Sequence, residues 1–236
     1  RVGGIPNHES AARHPLQYMI TWSFEHVLRE YMVNVRIIEE GRLAEVKATS
    51  GRESFRFAEC GVDEMLECAI TPGMPSFLFT RSHLHSFAEK TIRWPGHWQA
   101  IDTLKDCGLL DIEPISFCGE SVRPRDFFLR MIEPRLVPQA GDMDVCVMWN
   151  TAWGARARSD CYMWAEGDAK SGLSAMARVT ASCAAVAARL LACGVIQEKG
   201  IIAPEDAIKG EVYASLMQEL EKRGIEVAEK AERFED

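Results

Sequence analysis

The chain has 236 residues, 47% of them hydrophobic and 26% charged, and a formal net charge of −8. That is the composition of a globular protein with one large domain or two small ones, and its acidity argues against general affinity for nucleic acid or an anionic membrane. No uninterrupted apolar run reaches the roughly 18 residues a bilayer span needs, and the opening Arg1-Val2-Gly3-Gly4-Ile5-Pro6 has neither the basic nor the apolar region of a signal peptide.

After loop punctuation at the start, residues 15–31 show mixed helical periodicity, with Ile20, Phe24, Val27, Leu28 and Tyr31 at intervals that share a face. Strand-like runs follow at 33–39, 43–49, 53–58 and 65–71. Their alternation and the breaks at Gly41 and Ser50-Gly51 predict an antiparallel meander. Pro72-Gly73-Met74-Pro75 interrupts it, and 76–88 reads as a short helix. Residues 90–94 form a strand ending at Pro95-Gly96. Residues 97–107 form a helix through Trp98, Ile101 and Leu104, stopped by Gly108. A further helix covers 124–136, with proline in its first turn, and 145–153 pairs with 156–166 as a hairpin around Gly154. Beyond Gly172 the texture changes. Residues 174–193 make an Ala-rich helix whose Ala177, Ala181, Ala184 and Ala188 permit close approach of another element, and 211–223 makes a more polar one. The sum is an α+β fold: a mixed, mostly antiparallel sheet covered by helices on one face, followed by C-terminal helices. The expected division is 1–173 for the α+β domain and 174–236 for the helical segment.

The eight cysteines are dispersed and include no C-x-x-C pair, so reduced, mostly buried thiols of a cytoplasmic protein are expected. His83-x-His85 lacks the Cys or carboxylate pattern that would complete a metal site. There is no G-x-S-x-G or H-E-x-x-H to anchor hydrolase chemistry. Neither G-x-G-x-x-G nor a P-loop occurs, so the chain alone should not cradle a dinucleotide pyrophosphate. The most unusual cluster is Arg93-Trp94-Pro95-Gly96-His97. A guanidinium at a strand end can clamp a carboxylate, and an imidazole at a helix start is held neutral near pH 7. The plainer alternative is a tight Pro-Gly turn with a first-turn histidine bonded to nearby backbone.

Several segments, in order, resemble the saccharopine dehydrogenase family, which includes saccharopine reductases, lysine 6-dehydrogenases and related carboxynorspermidine enzymes. Gly3-Gly4-Ile5-Pro6, Pro15-Leu16-x-Tyr18 and Thr21-Trp22-Ser23 are similar to its G-G-[IL]-P…P-L-G-Y…[ST]-W-S stretch. Lys90 to His97 resembles K-T-[IL]-R-Y-P-G-H, and Gly108-Leu109-Leu110-Asp111, Pro124-Arg125-Asp126-Phe127 and Ser174-Ala175-Met176-Ala177-Arg178 follow in sequence. The resemblance implies an N-terminal Rossmann domain that binds NAD or NADP and lies outside this chain. It also implies an α+β domain that covers the active site and dimerises through its sheet, with C-terminal helices returning to the nucleotide domain. On that basis a chain opening at Gly3-Gly4-Ile5-Pro6 is expected to be part of a longer protein.

Carried over by position, His97 and Tyr18 become the catalytic candidates, and Arg93, Trp94, Trp22 and Ser23 the substrate-binding ones. Gly3, Gly4, Ile5 and Pro6 become a turn at the nicotinamide. Gln17 departs from the family's glycine and Trp94 from its tyrosine. The Asn-Arg-Asp segment with which saccharopine reductases meet a substrate carboxylate is missing from residues 71–76, so a smaller, lysine-like amino acid fits better than saccharopine. The expected function is NAD(P)-linked oxidation of an amino-acid amine, or reduction of the imine, in a homodimer. The rival is a homodimeric binding module without catalysis. No residue marks itself as a general base.

Overall fold

The structure is a computed structural model of the chain and describes residues 1–234. The chain opens directly into a strand, β1 (Val2–Pro6), followed by a one-turn helix α1 (His8–Ala11) that Asn7 caps by accepting from the Ser10 amide. A 3₁₀ turn at Pro15–Gln17 leads to α2 (Phe24–Glu30). Residues 18–23 are not helical as expected, because Leu16 and Gln17 adopt positive φ (60° and 48°) and break the register before Phe24. The hairpin β2 (Asn34–Glu39)–β3 (Arg42–Lys47) turns on Glu40-Gly41, both with positive φ. Next come β4 (Glu53–Phe57), β5 (Glu64–Ile70), a one-turn helix α3 (Phe77–Thr80) and β6 (Lys90–Arg93). Helix α4 (His97–Asp106) starts from Gly96 at φ 92°. A small hairpin, β7 (Ile115–Phe117)–β8 (Glu120–Val122), precedes α5 (Pro124–Leu136). The chain ends with the long hairpin β9 (Asp144–Trp153)–β10 (Ala157–Glu166), then α6 (Ala175–Ala192), α7 (Pro204–Ala207), α8 (Glu211–Glu221) and β11 (Ala228–Arg233).

Seven strands form one mixed sheet in the order β11-β10-β9-β1-β6-β5-β4, in which only β1 and β6 run parallel. One face is lined by alternate residues that include Ile5, Phe57, Leu66, Ile92, Trp94, Val147 and Tyr162. Phe57 on the β4 edge meets Tyr162 and Trp164 of β10 with ring centroids 6.0 and 5.6 Å apart, and Lys230 of β11 pairs with Glu59 at 2.5 Å. The sheet is therefore curled until its concave face packs on itself. Helices cover the other face in two groups. Helices α2, α4 and α5 enclose Phe24, Leu28, Tyr31, Trp98, Ile101 and Leu136. Helices α6 and α8 enclose Cys146, Met163, Val186, Leu190 and Leu220. Asp144 fixes the second group by accepting from the Ala175 and Met176 amides at 2.6 and 3.2 Å, while Ser174 caps α6 through the Ala177 amide.

The expected meander is divided. Strands β4 and β5 join the main sheet, but β2–β3 stands apart over a small core of Val35, Ile37, Ala48 and Ile70. Residues 76–88 hold only one helical turn. The segment 174–236 is more than helical: β11 pairs with β10, and Arg81 binds Asp206 at 2.7 Å, tying α7 to α3. The cysteines are all free but not mostly buried, since only Cys68 and Cys146 are enclosed and Cys60, Cys107, Cys118 and Cys193 are exposed. Helix α6, with mean hydropathy 1.4 over 18 residues, is long and apolar enough to cross a bilayer by length and composition. It nonetheless carries Arg178 and Arg189 and packs one face on the sheet.

Candidate functional site

The two helical groups part over β1. There Gly4 faces outward, and a Cβ on it would lie 2.5 Å from Met176 Cγ and 3.6 Å from Thr21 Oγ1. The start of α6 and the segment before α2 thus converge over a strand position without a side chain. Beside it on β6, Ile92 points into the curled sheet, so Thr91 and Arg93 point out. Arg93 is 5% exposed. Its Nε donates to Tyr31 Oη at 3.0 Å, and its Nη1 donates to the carbonyls of Ile92 and Gly4 at 2.9 and 3.3 Å. Its Cζ lies 5.3 Å from the centre of the Tyr18 ring, a cation–π contact. Among the described residues no carboxylate forms an ion pair with this guanidinium, and Nη2 takes no protein acceptor.

Behind Arg93 the donors and acceptors close into a chain. His97 Nδ1 is 2.8 Å from the Leu16 carbonyl, so it carries the proton and donates. Nε2 then accepts from Tyr31 Oη at 3.3 Å, which leaves that oxygen to accept from Arg93. Burial, reinforced by the charge of Arg93, pushes the imidazole down to about 3, so it is neutral. His97 is wholly buried, and Tyr18 is 1% exposed with its hydroxyl unpartnered. Both hold Arg93 in place from behind, and neither presents a group to open space. Direct catalytic contact, expected of them from sequence, is not what this geometry offers.

The remaining candidates separate by strand alternation. Trp94 points inward, 4% exposed, and donates through Nε1 to the Pro6 carbonyl at 2.8 Å, so it supports the strand and does not face a substrate. Trp22 is exposed and stacks on His26, whose Nδ1 is 2.6 Å from Ser23 Oγ. These two line the rim over α2. The stretch Gly3-Gly4-Ile5-Pro6 is strand β1, not a turn. Gly3 and Ile5 face the interior and Pro6 ends the strand, so of these four Gly4 lies on the Arg93 side, beneath the Met176 side chain. With its amides in sheet pairing, β1 forms no pyrophosphate cradle, and the N-terminus of α6 is already capped by Asp144 and Ser174. The described residues form no cradle for the phosphates of a dinucleotide, and the Met176 side chain occupies the space over Gly4.

Sequence reading missed the carboxyls of this site. Glu30, on the cleft side of α2, is raised by burial and partly restrained by Arg93 and His26. Glu89 precedes β6, where alternation backward from Arg93 reaches Thr91 and then residue 89. That periodicity was the available signal. Its Oε2 lies 3.3 Å from Thr71 Oγ1, which is 2.6 Å from Thr91 Oγ1. Two open hollows of about 450 Å³ lie elsewhere, one beside Arg29, Glu113 and Arg125, the other beside Trp149, Trp153 and Arg158. In the second both guanidiniums are already paired, Arg158 with Asp160 at 2.6 Å and Arg1 with Glu53 at 2.7 Å. In the first, Arg123 faces Asp126 at 3.9 Å, and Arg29 and Arg125 make no ion pair among the described residues but are not buried as Arg93 is, with Glu25 and Glu113 beside them. The chemistry therefore favours the Arg93 cleft over either volume.

Comparison with known proteins identifies the fold and the family. The chain's fold is similar to that of apo histidine-tagged saccharopine dehydrogenase (L-Glu forming) from Saccharomyces cerevisiae, with TM-score 0.75 at 18% identity over 98% of this chain. The match covers 66% of that protein's chain, so the present chain spans about two-thirds of its length. At that identity the likeness shows the fold. The family model described as "Saccharopine dehydrogenase C-terminal domain" matches residues 1–225, and the chain belongs to that family.

Proposed function

We propose that this chain forms the substrate-binding part of a saccharopine dehydrogenase-like, NAD(P)-dependent oxidoreductase acting on the CH–NH group of an amino acid. The observation that carries the reading is Arg93, a buried guanidinium without a carboxylate partner among the described residues and with Nη2 unused. Burying an unpaired charge is unfavourable, and such an arrangement is expected where a ligand completes it. Arg93 orients the substrate α-carboxylate. Tyr31, His97 and Tyr18 hold the guanidinium, and Trp22 and Met176 shield the cleft. A nicotinamide dinucleotide, held mainly by a Rossmann domain outside this chain, exchanges the hydride when bound.

A lysine-like substrate fits better than saccharopine, because residues 71–76 contain no arginine and the nearest ionisable side chain there is the Glu89 carboxyl, packed against Gly73. A reducing, cytoplasmic setting belongs to the same proposal and is supported by the four exposed free thiols.

The test is Arg93→Lys in the full-length enzyme. Losing fork geometry but keeping charge is expected to raise KM for the amino acid about 10- to 100-fold with a smaller effect on kcat. A substrate analogue lacking the α-carboxylate should show no such difference. Equal losses for both substrates would remove Arg93 from the carboxylate site.

A second reading, a homodimeric binding module without catalysis, is favoured by the exposed apolar residues Ile115, Phe117 and Phe127 on β7 and α5. The sheet itself offers no bare face for such a dimer, since its concave side is filled by its own residues. Sedimentation is expected to show a dimer under either reading. Amino-acid-dependent reduction of NAD(P) by the full-length protein would exclude the second.

A further inference from the structure

We infer that Glu89 receives the proton which the substrate's reacting ammonium must lose before its C–H bond can be oxidised, with Thr71 as the residue that positions it. The inference rests on the reading of the Arg93 cleft as the amino-acid site. An ammonium nitrogen has no lone pair to drive loss of hydride from the neighbouring carbon. One N–H bond must first break, leaving its electron pair on nitrogen, and an O–H bond forms on the acceptor. The same carboxylic acid returns the proton to the amine when the imine is reduced.

Glu89 has the geometry of such an acceptor. Thr91 and Thr71 form a hydroxyl pair 2.6 Å apart, and Thr71 Oγ1 reaches Glu89 Oε2 at 3.3 Å, so one carboxyl oxygen is held. The other oxygen takes no hydrogen bond from the described residues. A Cβ at position 73 would fall 2.2 Å from Oε2, so the Pro72-Gly73 backbone closes over the carboxyl only because residue 73 is glycine. The adjacent Lys90 points away and pairs with Glu53 at 2.6 Å, leaving Glu89 without an ion pair among the described residues. Its charged neighbours are Glu30 of α2 and Arg93 of β6. Burial raises the carboxyl well above the ordinary carboxylate range, against the pull of the Thr71 hydroxyl and Arg93, while Glu30 adds to the rise. A group poised there accepts and returns protons near neutrality.

The pH dependence of kcat/KM for amine oxidation in the full-length enzyme tests this. The wild type should show an acid limb displaced well above the ordinary carboxylate range, towards neutrality. Glu89→Gln should lower kcat/KM on the order of 10²- to 10⁴-fold and abolish that limb. Thr71→Val, nearly isosteric, removes a donor to the carboxylate and should move the limb to higher pH; it decides the matter if the Gln variant does not fold. Thermal melting supplies a readout without turnover. A carboxyl whose folded pKa is raised favours the fold below its unfolded value of 4.5 and loses that contribution as pH climbs through the raised folded value. Glu89→Gln should therefore melt with the wild type at pH 4 and above it at pH 8. An unchanged acid limb in both variants overturns the assignment, even if the melting shift appears, because Glu89 is then a structural carboxyl. If Arg93→Lys still raises KM in that case, the cleft reading survives and only the proton acceptor is wrong. If Arg93→Lys also has no effect, the cleft reading fails with it.

Discussion

Gly3→Ala is expected to destabilise the protein by about 3–5 kcal/mol, enough to remove a large part of a typical domain's stability. The Cβ it adds would sit 2.5 Å from the carbonyl oxygen of Ile92 and 3.1 Å from the Ile92 Cβ. The obstacle is backbone in the neighbouring strand, so no rotamer change relieves it. Strand β1 lies in the middle of the sheet, paired with β6 on one side and β9 on the other, and has no free direction in which to shift. Gly4→Ala is the control. There the contact is with Met176, Cγ at 2.5 Å and Sδ at 2.7 Å, a flexible side chain that can swing aside. Its cost to folding should be about 1 kcal/mol or less by repacking, with the loss appearing in substrate affinity instead. Urea denaturation of the two variants side by side checks the contrast, and equal midpoints would show that β1 is not clamped as described.

The same strand shows where sequence reading stops. Gly3, Gly4 and Pro6 carry the composition of a loop, because glycine and proline weaken strand propensity. What makes the segment a central strand is the close approach of Ile92 and Met176, contacts more than 80 residues away that no local pattern encodes. By contrast α4, α5, α6 and the β9–β10 hairpin were legible within a residue or two. Their periodicity is uninterrupted and their ends are marked by Gly96, Gly108, Pro124, Ser174 and Gly194. The β7–β8 pair is too short for its alternation to register, and the wholly exposed β11 has no apolar face to announce it. At the site, Arg93 to His97 was recognisable as a cluster, but the roles within it depend on facing. Strand alternation sends Arg93 outward and Trp94 inward, and the first turn of α4 buries His97 against Tyr31. Glu89 escaped notice because its environment is assembled from Thr71, Gly73 and Thr91, which only the pairing of β5 with β6 brings together.

Arg93→Met should separate folding from function more sharply than any other substitution in the cleft. A buried guanidinium without a carboxylate is an unfavourable element of the free protein, and apolar replacement of buried charged groups is often neutral or stabilising by about 1–4 kcal/mol. The gain is offset in part, since the Ile92 and Gly4 carbonyls lose a donor, at about 1 kcal/mol each. Tyr31 does not lose its place, because its hydroxyl still donates to His97. The methionine thioether can fill the stem's volume above the Tyr18 ring with a favourable sulfur–aromatic contact. Its melting temperature should therefore equal or exceed that of the wild type. Activity should move the other way. A charge-assisted hydrogen bond to a substrate carboxylate in a desolvated site contributes about 3–5 kcal/mol, so kcat/KM should fall on the order of 10²- to 10⁴-fold. Thermal melts and steady-state kinetics on one preparation decide between the two roles. A variant that melts well below the wild type while retaining its kcat/KM would make Arg93 a tether for Gly4 and Tyr31. Stability kept while turnover collapses identifies a guanidinium held ready for an anion that the protein itself does not supply.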